Sequence, residues 1–286
     1  GCEIFFPSSH HSPFVWKTDP QYSKSLGRIA AFCTKKFPNS VIVDIGANIG
    51  DTAAIIRSNG VRNTIVCVEG VRDFFDILSR NADRIGNIVP VHRFVGPACY
   101  DMSAKLRVLD SGNAVVYEKP EDYKIETHTV QQANVEFETI DSIVQRHAPG
   151  SSIKLLKTDI EGYDLPVLIS SLDLIGLHKP LIYLELHISD IDERSKGVTW
   201  KELWEKLSVL GYNKVLYWYC SSAFLCMLDI NRDDRITEDI HDYIRNRGGY
   251  LYYDVCMIHK DDGDLATAIY NTEKVLARES RDILKQ

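Results

Sequence analysis

Val41-Ile-Val-Asp44-Ile-Gly46-Ala-Asn48-Ile-Gly50-Asp51 runs from a nearly continuous apolar stretch through a glycine turn into helix-forming residues that reach about Ser58. A run of five residues, apolar except for Asp44 and ended by glycine, reads as a strand buried on both faces, the kind found inside parallel sheets. The same alternation continues: a strand over Thr64 to Glu69, a helix over Arg72 to Arg84 and a strand over Ile88 to Phe94. Strands that alternate with helices predict a doubly wound α/β sheet with helices on both faces. Upstream, Tyr22 to Phe37 reads as an amphipathic helix stopped at Pro38, preceded by an irregular lead-in with Pro7, Pro13 and Pro20. Downstream, residues 96–135 lose periodicity and read as an insertion with a short hairpin, placed near substrate. Order returns with a helix over Ile140 to Arg146, a strand over Ile153 to Thr158, a helix from Leu165, a strand over Leu181 to His187 and a helix over Trp200 to Leu210. Strands over Val215 to Cys220 and Tyr250 to Ile258 flank a helix over Thr237 to Arg247 and suggest an antiparallel edge. A charged surface helix over Leu265 to Leu284 closes a chain read as one domain spanning 1–286.

With 44% hydrophobic and 26% charged residues, the 286-residue chain has ample material for a core. A net charge of -7 argues against a broad nucleic-acid surface, which needs clustered Lys and Arg. No apolar run is long enough to span a bilayer, and no signal segment opens the sequence, so a soluble, cytoplasmic protein is expected. Seven scattered cysteines without a Cys-x-x-Cys pair read as free thiols. The opening Gly1-Cys2 fits either a cloning remnant or one domain of a longer polypeptide.

The turn after the first strand lacks the strict dinucleotide glycines, since Asn48 and Asp51 stand where that fingerprint wants Gly. Glu69-Gly70 ends the second strand, where Rossmann-like proteins hold a ribose diol with one carboxylate. Lys157-Thr-Asp159-Ile-Glu161-Gly-Tyr-Asp164 follows one later strand end, and Glu185-Leu-His187 sits at the next. Charged groups at the carboxyl edge of an open sheet are candidate chemistry, although each acid is equally a candidate helix cap. Asp229-Ile-Asn231-Arg-Asp233 begins like a calcium loop. It then places Asp234 where the sharp turn wants Gly and Ile240 where calcium needs a bidentate Glu, so it reads as a polar turn.

In this order, Val41 to Asp51, Val68-Glu69-Gly70, Glu138-Thr-Ile-Asp141-Ser-Ile143, Lys157 to Asp164 and Leu184-Glu-Leu-His187 resemble the FkbM-type methyltransferases over roughly residues 40 to 190. The resemblance implies a Rossmann-like class I methyltransferase fold with a mostly parallel seven-stranded sheet and S-adenosylmethionine as donor. It also implies O-methylation of a hydroxyl, often on sugars. That donor carries no phosphate, which suits an acid beside the turn. The expected cofactor residues are Asp44, Gly46, Asn48, Gly50, Asp51, Glu69, Gly70 and Val95. Asp159, Glu161 and His187 are the expected base and its partners, tuned by Lys157. Glu185, Trp200 and Trp204 are acceptor candidates, with Tyr217, Trp218 and Tyr219 as further aromatic faces for a sugar. No metal is expected; were one present, Asp159, Glu161 and Glu185 would hold it. An NAD(P)- or nucleotide-sugar-binding enzyme and a non-catalytic binding module of the same fold remain the alternatives, and the small-molecule or glycan acceptor and the oligomeric state stay open.

Overall fold

The computed structural model describes residues 2–7, 12–18, 21–97, 105–108, 114–117, 130–131, 137–187, 195, 197–220, 222–247 and 251–283. One sheet organises these residues. Its strands are β1 (Val41–Ile45), β2 (Ile65–Glu69), β3 (Ile88–His92), β9 (Ile153–Thr158), β10 (Leu181–Leu186), β11 (Tyr212–Tyr219), β12 (Ala223–Asp229) and β13 (Tyr253–His259). Short pieces β4 (Phe94–Val95), β5 (Lys105–Val108), β6 (Ala114–Tyr117), β7 (Val130–Gln131) and β8 (Phe137–Glu138) lie between β3 and β9 in sequence. The main sheet runs β3-β2-β1-β9-β10-β13-β11-β12. Six strands are parallel; β13 runs against β10 and β11, and β12 runs against β11. The seven expected strands are present in Rossmann-like methyltransferase order, and an eighth, Ala223–Asp229, joins the antiparallel edge.

The two-residue period of the strands explains how the sheet is clothed. Val41, Val43 and Ile45 join one buried cluster with α5 (Ile140–His147), α6 (Asp164–Ser170), α7 (Leu172–His178) and α8 (Trp200–Val209). Ile42, Leu155, Tyr183 and Cys256 point the other way, into a second cluster with α2 (Lys24–Lys36) and α3 (Asp51–Ser58). The closing helix α10 (Gly263–Ile283) belongs to that second layer. Leu265, Ala266 and Ile269 enter the core and Glu273 is buried, so this is a packed helix rather than the expected surface one. α4 (Arg72–Ile85) covers β2 and β3.

The lead-in is less irregular than expected, since α1 spans Ser12–Thr18. Within the insertion, β5, β6 and β7 form a three-stranded antiparallel sheet in place of a lone hairpin. The ends of that insertion meet where β4 pairs in parallel with β8. The Asp229–Asp233 turn behaves as a polar turn: Asp229 accepts from Asn231 N–H and pairs with Lys214 at 2.6 Å, while Asp233 accepts from Asp229 N–H. The six described cysteines are free thiols, and Cys99 lies outside the described residues. Among the described residues no helix is long and apolar enough to cross a membrane.

Candidate functional site

The chain leaves β1 to build β2 and β3 on one side and β9 on the other, so strand order switches direction between β1 and β9. Open α/β sheets bind ligands in the crevice outside the carboxyl ends at such a switch. The glycine turn sits there. Gly46 has φ +74, and a Cβ at that position would lie 2.0 Å from the Asp159 carbonyl oxygen, so only glycine lets β1 and β9 approach so closely. Gly46 and Ala47 N–H both donate to Val68 O at 3.0 Å, tying the turn to β2. Asn48 takes a left-handed φ of 47, a conformation Asn tolerates well, and Gly50 then caps α3, with Asp51 in its first turn.

Asp44 and Lys157 pair in register on β1 and β9. The Lys157 ammonium lies 3.0 Å from Asp44 Oδ1 and 3.5 Å from Asp159 Oδ2, and donates to Gly46 O at 3.0 Å. Burial opposes charge on Lys157, but Asp44 and Asp159 outweigh it and hold its pKa well above the usual lysine range. Lys157 is thus a buried tie between the glycine turn and both acids.

At the end of β2, Glu69 accepts from Asn48 N–H at 2.8 Å and from Val71 N–H at 2.7 Å. Burial pushes its pKa up to about 7 in spite of those two donors. Gly70 is forced by Phe94, whose ring atoms would lie 2.4 Å from any Cβ. Val95 is buried one residue further on.

On the opposite side of the switch, Glu161 at φ 56 and Gly162 at φ 93 make a left-handed turn after β9. Asp164 accepts from Ile160 N–H and Gly162 N–H, both at 3.3 Å, so this acid holds the turn in the way a cap would. Strand register brings further acids alongside. Glu185 lies on β10 directly across from Asp254 on β13, and directly opposed residues of antiparallel strands share a face. That face is the α2 side, which Asp44 and Lys157 also occupy. Burial, reinforced by Asp159, Asp254, Glu161 and Asp164, drives the Glu185 pKa well upward; burial and then Asp159 push Asp254 to about 7. Neighbouring like charges raise a carboxylate's pKa in the same sense as burial. His187 is buried just past β10. Asp159 is half-buried, with 39% of its side chain exposed.

Three of the aromatic candidates are buried and two, Trp200 and Tyr219, are half-buried. Trp204 is 6% exposed and stacks on Trp200 with ring centroids 5.6 Å apart, and Trp200 meets His241 edge-on. Tyr217 and Trp218 are fully buried, so neither they nor Trp204 present a face to an acceptor; Tyr219 is half-buried against Tyr253. Among the described residues no group of three His, Cys, Asp or Glu side chains is arranged to hold a metal, including Asp159, Glu161 and Glu185.

Sequence reading missed Asp254, Tyr22 and Tyr252. Tyr22 and Tyr252 hydrogen-bond to each other, and both lie within electrostatic reach of Glu185. The available signal was a lone acid inside the apolar run from Tyr252 to Ile258.

Residues 44–214 match the family model of the methyltransferase FkbM domain. Among solved structures, methyltransferase FkbM from Methylobacillus flagellatus KT is similar with a TM-score of 0.39 and 19% identity, over 62% of this chain and 40% of that one. This chain therefore spans about two fifths of that protein's length. A precorrin-6y C5,15-methyltransferase from Geobacter metallireducens GS-15 gives 0.36 and 11% identity over 78% of this chain and 80% of its own. A TehB-like SAM-dependent methyltransferase from Corynebacterium glutamicum ATCC 13032 Kitasato gives 0.37 and 9% over 88% and 98%. No curated protein matches the chain.

Proposed function

The chain belongs to the methyltransferase FkbM family, and from that premise we propose that it transfers the methyl group of S-adenosylmethionine to an acceptor hydroxyl, on a sugar or glycan. The observation that carries the cofactor reading is Glu69, buried at the carboxyl end of β2 with both oxygens already oriented by Asn48 and Val71 N–H. A carboxylate offers about four acceptor positions, so two remain for the two hydroxyls of a ribose. The turn at Gly46, backed by the buried Asp44–Lys157 pair, stands where the donor's amino-acid end would approach. Asn48 stands where a dinucleotide turn needs glycine, which disfavours NAD(P).

The bound donor supplies an electrophilic methyl carbon on a sulfonium sulfur: the acceptor oxygen bonds to that carbon as the carbon–sulfur bond breaks. The chain's task is to hold the acceptor in line and take its proton. Asp159 is our candidate base, since 39% of its side chain is open to solvent at the carboxyl edge. Lys157 pairs with it at 3.5 Å, and burial raises the pKa values of Glu185 and Asp254, which face each other across β10 and β13. Glu161 and His187 border the same edge and orient the acceptor.

Calorimetric titration with S-adenosylhomocysteine tests this reading. Micromolar binding that Glu69→Ala abolishes is the expected result. Failure of the unmodified chain to bind it, with NAD or a nucleotide sugar binding instead, overturns the reading. Transfer of labelled methyl to a panel of sugars then separates an enzyme from a binding module.

A further inference from the structure

The matched family segment starts at residue 44, yet the first described residues reach the same crevice. Asn81, on α4, is fully buried and its carboxamide is spent on two elements at once. Its Oδ1 accepts from Phe5 N–H at 2.7 Å, and its Nδ2 donates to Phe5 O at 3.0 Å and to Ile49 O at 2.7 Å. Ile49 belongs to the glycine turn, so one side chain joins the N-terminal segment to the turn. The Phe5 ring lies against the Arg80 and Arg84 guanidinium groups at 4.3 and 4.0 Å. Its neighbour Phe6 points into a small apolar cluster separate from both main cores, formed by Ile49, Val71 and Phe74 with Ile77 and Phe94. Ile49 follows β1, Val71 follows β2 and Phe94 follows β3, so the cluster sits on the carboxyl edge beside Glu69.

Resting on the cofactor reading above, we propose that residues 2–7 are part of the cofactor site, with Phe6 as an apolar wall for the adenine base and Asn81 as the positioning residue that couples this segment to the glycine turn. A planar base next to the ribose acid needs apolar surface on its faces, and Phe6 extends the apolar cluster that joins Ile49 of the turn to Val71, two residues beyond Glu69. Since Asn81 satisfies both backbone groups of Phe5 and the Ile49 carbonyl, ordering the turn around a ligand also orders the segment. Ligand affinity and segment order are therefore linked, and each strengthens the other.

The test uses the full chain and S-adenosylhomocysteine as probe. Phe6→Ala and Asn81→Ala should weaken binding roughly 5- to 100-fold, the usual range for coupled sites. In the unmodified chain the probe should slow hydrogen exchange at the Phe5 amide, a change that a purely structural Asn81 would not produce. Phe6 is half-buried outside both main cores, so its variant keeps the test sound if Asn81→Ala fails to fold. Unchanged affinity in Phe6→Ala, or Phe5 exchange indifferent to the probe, overturns the proposal. Absence of probe binding by the unmodified chain overturns the cofactor reading and this proposal with it, and is told apart because it needs no variant.

Discussion

Lys157 and Asp44 show how much of this site is held by one buried pair. Lys157 is 5% exposed and Asp44 not at all, so neither charge has water to fall back on. Removing one partner of a buried pair leaves an uncompensated charge, at a cost of about 3–5 kcal/mol. Lys157→Met should therefore lower the free energy of urea unfolding by about that amount, and adding Asp44→Asn should restore a large part. Glu69 makes a pH-dependent case. Its pKa rises from 4.5 unfolded to about 7 folded, because burial disfavours its charge. Its contribution to folding is thus fully present below pH 4.5 and is lost as pH rises through 7. Ligand hydroxyls act in the opposite sense, since donors favour the ionised acid. S-adenosylhomocysteine affinity should accordingly fall as pH drops below 7, by at most about tenfold per pH unit. Glu69→Gln should bind weakly and show no such slope; calorimetry at several pH values measures both.

Among the elements, α10 departs furthest from its sequence reading. Glu273 accepts from Arg28 at 2.6 and 2.8 Å and from the Trp218 indole N–H at 2.9 Å, linking α10, α2 and β11. Glu273→Ala strands that indole N–H in the core and should cost about 2–3 kcal/mol, read from denaturant midpoints. The charges along α10 hide its buried stripe, which only Leu265, Ala266 and Ile269 announce. β12 was missed for a related reason. An edge strand buries little: Ala223–Asp229 carries six consecutive apolar residues, yet only Leu228 is fully buried, so the run lacks the two-faced burial that marks the inner strands. By contrast, β1, α3 and β9 have the bounds their residues predict, because strands buried on both faces and bracketed by turn residues leave little freedom. The site divides along the same line. Asp44, Gly46, Glu69 and Asp159 follow from local strand-turn-helix grammar, whereas Asp254, Asn81 and Phe6 reach the crevice through sheet order and chain return.

At the scale of the molecule, the matched residues 44–214 contain four of the eight main-sheet strands whole and parts of β1 and β11, while β12 and β13 lie wholly beyond them. The acids of the crevice are thus shared between the matched segment and its surroundings, with Asp254 contributed by β13. The placement of β13 has a further consequence. Residues 253–259 form the strand that separates β10 from β11, so these two are made long before the strand that joins them. On a chain emerging from the ribosome, two apolar strands with unfilled hydrogen-bonding edges wait through the synthesis of β12 and the whole helix α9 (Asp234–Arg247). Exposed edges of that kind invite pairing with the wrong strand or another nascent chain. The vulnerable interval in this protein's life is therefore written into its topology: it ends when β13 slides into the gap, and a chain stopped short of Tyr253 never leaves it.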